Sequence, residues 1–140
     1  MLSRLLVAAL VAVATTATVR AGESTITIES HQGKWESGYG VKFYNVVGSL
    51  KNTGTAPVAW VKLRVEALDG DGAVVATADA YNEAAEALSV PGADAQALVD
   101  AGKVTPVAPG ATQRFRASFL EEEHPNVASH RVTVAEAPAP

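Results

Sequence analysis

The three histidines, His31, His124 and His130, are the chain's only imidazoles, and there is no cysteine beside them. Glu121-Glu122-Glu123 runs directly into His124, with His130 close behind in sequence. A Zn2+ or Cu2+ site built from the three histidines and nearby acids is therefore one reading of the chemistry. No pair has the i, i+4 helical or alternate-strand spacing that would preset a metal geometry. The single methionine is Met1, which excludes a methionine-rich copper(I) site. Solvated loop histidines and no bound cofactor are the expectation.

Asp69-Gly70-Asp71-Gly72 could open a calcium loop, with carboxylates at alternate positions. Such a loop needs a glutamate at its twelfth position, where Ala80 stands. Asp-Gly also suits the backbone angles of a tight hairpin, so this stretch reads as a corner. No nucleophile elbow surrounds any serine. Glu121 and Glu123 fit a solvated loop better than a hydrolase pair. The chain is not expected to be an enzyme.

Trp60 is the large aromatic to watch. In Val58–Asp69, Val61, Leu63, Val65 and Ala67 alternate with Trp60, Lys62, Arg64 and Glu66. Trp60, Lys62 and Arg64 thus share one sheet face and form a candidate surface for a protein or sugar. The competing reading is cover. Leu88, Val90, Leu98 and Val99 of the segment 82–104 need a surface to bury against, and Trp60 offers one.

These residues must be held by strands. Ser24–Ser30 alternates with Ile26 and Ile28 on one side, and the glycines at 33, 38 and 40 predict a loop or bent strand after it. Tyr44, Val46, Gly48 and Leu50 share the inward face of a second strand, where Gly48 leaves room for a large neighbour. Asn52, Gly54 and Pro57 mark a turn. Segment 82–104 predicts one or two helical turns, with Asp94 as N-cap and Gly102 as stop. Phe115, Ala117 and Phe119 face inward on another strand, as do Val132 and Val134 on the last. Six or so strands joined by turns predict an all-β antiparallel sandwich with a short, partly helical insertion.

The 140 residues fit one domain, spanning residues 22–136 with the insertion at 82–104 and a disordered tail at 137–140. Residues 1–21 have the three parts of a signal peptide: Arg4, an apolar run over 5–13 too short to span a bilayer, and Val19 and Ala21 before the cut. Cleavage there removes two arginines and no acid, leaving nine basic and fifteen acidic residues, so the net charge falls from −4 to −6. That balance gives no support for binding nucleic acid or an anionic membrane. Without cysteine there is neither a disulfide nor a lipid attachment point, and no further apolar stretch is long enough for an anchor.

The order V-x-G-S-L-K-N-T-G, P-V-x-x-V-K-L-x-V, A-L-D-x-D-G-x-V-V and A-P-G-A-T-x-x-F-x-A-S-F resembles the FxLYD-type domain over residues 41–135. The resemblance implies a small immunoglobulin-like or fibronectin-like sandwich of exported prokaryotic proteins, generally without catalysis. The signature itself reads Val65-Glu66-Ala67-Leu68-Asp69, with aliphatic residues at the Phe and Tyr positions, and segment 82–104 is longer than the family pattern. The expectation is a monomeric binding or structural module, periplasmic or secreted, meeting an envelope or extracellular protein through Trp60, Lys62, Arg64 and the insertion.

Overall fold

The computed structural model describes residues 25–140, so the expected signal peptide lies outside the described residues. The chain is an all-β antiparallel sandwich with a short, partly helical insertion. Its strands are β1 (Ile26–Gly38), β2 (Val41–Asn52), β3 (Lys62–Leu68), β4 (Val74–Tyr81), β5 (Thr112–Leu120) and β6 (Ser129–Glu136). One three-stranded sheet has the order β1-β2-β5, the other β4-β3-β6. β1 approaches β6 along one side of the sandwich, and β4 approaches β5 along the other. The inward side chains of β4 are Ala76, Ala78 and Ala80, small enough to let the sheets close there. Among the described residues, no helix is long and apolar enough to cross a membrane.

Period-two patterning decides the core. Val61, Leu63, Val65 and Ala67 have no exposed surface, and Tyr44, Val46, Leu50, Phe115, Ala117 and Phe119 meet them from the other sheet. Each fully buried Val or Leu stabilises the fold by about 1.5–3 kcal/mol relative to an exposed one. Gly48 sits opposite Phe115 in the β2–β5 register, and the Phe115 ring fills the space that its missing side chain leaves.

Of the loop or bent strand expected after Ser30, the strand is what forms. β1 continues unbroken to Gly38, paired with β2 throughout, with a bulge between Ile28 and Ser30. Gly33 does not break this strand because its missing side chain accommodates the Tyr44 ring; a Cβ there would lie 2.6 Å from Tyr44 Cζ. Strand β3 is also shorter than the alternating run. Val58 instead pairs with Val107 in an isolated bridge, and regular pairing begins only at Lys62.

The corner reading of Asp69-Gly70-Asp71-Gly72 holds. Asp69 Oδ1 accepts hydrogen bonds from the backbone N–H groups of Asp71 (2.9 Å) and Ala73 (3.0 Å), and Gly72 takes φ +84°. The insertion forms a 3-10 turn at Glu83–Ser89 and a helix α1 at Ala95–Asp100. Asp94 caps α1 by accepting from Ala97 N–H at 3.1 Å, and Gly102 follows its end with φ +74°. The tail expected to be disordered is instead partly docked. Ala137 packs against the core, and the Pro138 carbonyl accepts from the N–H of buried Ala59 at 2.8 Å, satisfying a group that would otherwise be buried without a partner.

Candidate functional site

Two of the three histidines, 99 residues apart in sequence, meet where β1 approaches β6. His31 belongs to β1 and His130 to β6, so each comes from a different sheet. His31 Nδ1 and His130 Nε2 share a hydrogen bond at 2.8 Å, with the rings edge to face at a centroid separation of 4.9 Å. The other nitrogen of His130, Nδ1, is hydrogen-bonded to the Tyr44 hydroxyl at 3.1 Å. Tyr44 in turn meets Trp35 edge to face at 5.5 Å, and Trp35 Nε1–H donates across the gap to the Val127 carbonyl at 3.3 Å.

The local sequence explains these placements. His130 has the same parity as Val132, so it turns toward the interior of the sandwich, while Arg131 turns out to an ion pair with Glu66 at 2.7 Å. On β1 the bulge after Ile28 shifts the parity by one. An odd-numbered residue, His31, is therefore placed beside the interior that Ile26 and Ile28 occupy as even-numbered residues.

Burial disfavours charge in this cluster. Desolvation, and then the nearby His31, hold His130 well below the ordinary histidine value, at about 4. Burial also lowers His31 and raises Tyr44. At neutral pH His130 is neutral, and its tautomer is set by the Tyr44 and His31 hydrogen bonds. Tyr44, His130 and His31 thus form a hydrogen-bonded chain along which a proton can be handed, and its last link sets two imidazole nitrogens 2.8 Å apart.

This arrangement carries a pH prediction. Unfolded, His130 takes up its proton near pH 6.5; folded, it does so only near pH 4. Between those values the unfolded chain binds more protons, so stability falls as pH drops from about 6.5 to 4 and this contribution is flat above 7. For a half-buried ring partly screened by water, we expect about 1–2 kcal/mol. Urea unfolding of the protein and of His130→Gln across this range measures it. A wild-type curve as steep as that of His130→Gln would disprove the assignment.

His124 stays apart with Glu123, 3.9 Å from its carboxylate, and meets the Phe119 ring edge-on at 6.3 Å. No three His, Asp or Glu side chains converge as a metal cluster among the described residues. Trp60 is half-buried, packed with Ala85, Leu88, Val104, Leu98 and Val99 of the insertion and its flank, and its Nε1–H donates to Glu136 at 3.1 Å. The insertion therefore does fold back over it. Lys62 pairs with Asp79 at 3.6 Å, and Arg64 lies exposed on the same outer face.

Sequence reasoning missed Tyr39. β1 and β2 are joined by a two-residue turn, Tyr39-Gly40, with φ +51° and +77°, as a type I′ hairpin requires. That turn favours Asn or Gly first, yet here it holds a fully exposed tyrosine with exposed Val41 and Leu120 and half-buried Phe43 nearby. The Gly-Tyr-Gly spelling was the available signal. No family model matches this chain, and no curated protein or solved structure is significantly similar to it.

Proposed function

We propose that the protein is a non-catalytic, exported binding module of the cell envelope or extracellular space that recognises a protein partner through its surface. The observation supporting this is Tyr39. A left-handed conformation is unfavourable for tyrosine, and a fully exposed aromatic ring at a hairpin tip recovers nothing from the fold in return. Tyrosine is enriched where proteins bind one another because it brings a large contact area with few rotatable bonds. Val41, Phe43 and Leu120 extend the apolar surface behind it, and the Lys42–Glu121 pair at 3.7 Å edges it with charge. The FxLYD-type resemblance, with its exported, non-catalytic sandwiches, points the same way. Because Trp60 is engaged by the insertion, Arg64 is the member of the Trp60, Lys62, Arg64 set most available for contact.

The test compares Tyr39→Asn with Arg64→Ala as baits for partners from envelope and culture-medium extracts. Asparagine tolerates the left-handed turn, so Tyr39→Asn is expected to unfold within about 0.5 kcal/mol of the native protein. A protein retained by the native chain and by Arg64→Ala but lost by Tyr39→Asn would support the hairpin tip. Equal retention by all three would move recognition elsewhere, and loss only with Arg64→Ala would return it to the outer face of β3.

A further inference from the structure

We infer that His31 and His130 together form a binding site for one divalent late first-row transition metal ion, with copper(II) held most tightly. The site is distinct from the hairpin tip and does not depend on it.

Imidazole is a borderline ligand suited to copper, nickel and zinc, and a metal–nitrogen bond is about 2.0 Å long. Two nitrogens bound in adjacent corners of a square plane then lie about 2.8 Å apart, whereas tetrahedral ligands lie about 3.3 Å apart. His31 Nδ1 and His130 Nε2 are separated by 2.8 Å. That spacing matches adjacent corners of a square plane, and binding requires both rings to pivot so that the nitrogens now facing each other along the hydrogen bond turn toward the ion. Tetrahedral zinc would in addition require the pair to open. The ordinary divalent affinity order, in which copper exceeds nickel and zinc, favours the same ion.

The second observation is orientation. A metal-binding histidine is generally fixed by a hydrogen bond from its other ring nitrogen. Tyr44 supplies that contact to His130 Nδ1, and Tyr44 is itself fixed by Trp35 and by its fit over Gly33. With Nδ1–H donated to the Tyr44 oxygen, the lone pair of His130 Nε2 faces His31. A tautomer shift moves the His31 proton from Nδ1 to Nε2 and frees its Nδ1 lone pair, so the pair accepts the ion without losing a proton overall. Both rings are only half-buried, leaving a path for entry and room for water at the remaining positions. His31 comes from one sheet and His130 from the other, so the ion would fasten the β1–β6 side of the sandwich.

The experiment titrates metal-free protein at about pH 7.5 with copper(II), nickel(II) and zinc(II) chlorides, using calorimetry and, for copper, electron paramagnetic resonance. The expected result is one equivalent of copper(II), a spectrum showing two imidazole nitrogens, zinc at least about tenfold weaker, and a copper-dependent rise in the thermal midpoint. His31→Gln, checked by circular dichroism, should weaken copper binding more than about tenfold and remove the thermal shift, while His124→Ala should leave both unchanged. The nitrogen count in the native protein needs no variant, so a misfolded substitution cannot obscure the answer. The inference is overturned by absence of saturable copper binding, by binding that survives His31→Gln, or by binding that disappears with His124→Ala.

Discussion

Gly48→Ala is expected to destabilise the protein by about 3 kcal/mol or more, although it adds a single methyl group. The new Cβ would meet the Ser30 carbonyl oxygen and lie 2.5 Å from Phe115 Cζ and 2.9 Å from its Cε2. A flexible side-chain end could turn aside, but here one obstacle is the backbone of β1 and the other a ring packed into the core. Relief therefore requires β1 to slide away from β2 or Phe115 to leave its place between the sheets. Both movements affect the neighbouring site, because His31 is the register partner of Gly48. Urea unfolding followed by tryptophan fluorescence gives the stability. A loss under about 0.5 kcal/mol would mean that the β1–β2 pair yields far more readily than its continuous register suggests.

The second large effect is expected at Asn82, a fully buried polar side chain at the join between β4 and the insertion. Its Oδ1 accepts from Val61 N–H at 2.9 Å, and its Nδ2–H donates to Gln113 Oε1 at 3.0 Å. That same Gln113 oxygen accepts from Ala84 N–H at 2.9 Å. One amide therefore fixes the approach to β3, the start of the insertion and a residue of β5. Asn82→Ala leaves the Val61 N–H buried without a partner, which costs about 2–3 kcal/mol with the lost packing. Amide exchange should accelerate at Val61 and Ala84 together. If only Ala84 accelerates, the anchor serves the insertion alone and the β3 assignment is wrong.

Much of the scaffold was legible because its signal is local. Val61, Leu63, Val65 and Ala67 announce one buried face by alternation alone, and Asp69-Gly70 announces a turn by its backbone preferences. Asp94 and Gly102 similarly mark the two ends of α1. The histidine pair was not legible, for a definite reason. His130 carries a readable inward parity with Val132, but His31 reaches the same interior only after the bulge at Ile28/Ser30 reverses the pattern set by Ile26 and Ile28. No residue type in that stretch dictates where an extra residue is accommodated. Trp60 shows the complementary case: its parity was readable, and the apolar residues of segment 82–104 gave the reason for its cover.

Strand order also sets when the sandwich can become complete. β1–β2 and β3–β4 are neighbours in the chain and can pair as soon as their short turns close, a small loss of chain entropy in each case. β5 and β6 must instead find β2 and β3 across long intervening segments, so these pairings form the slow, non-local stage of folding. β6 follows the other strands among the described residues, and it covers one edge of β3 while supplying Val132 to the core. Without residues 129–140, that edge of β3 has no partner strand and the core lacks Val132. Pairing of β6 therefore decides when that edge stops being available to other chains.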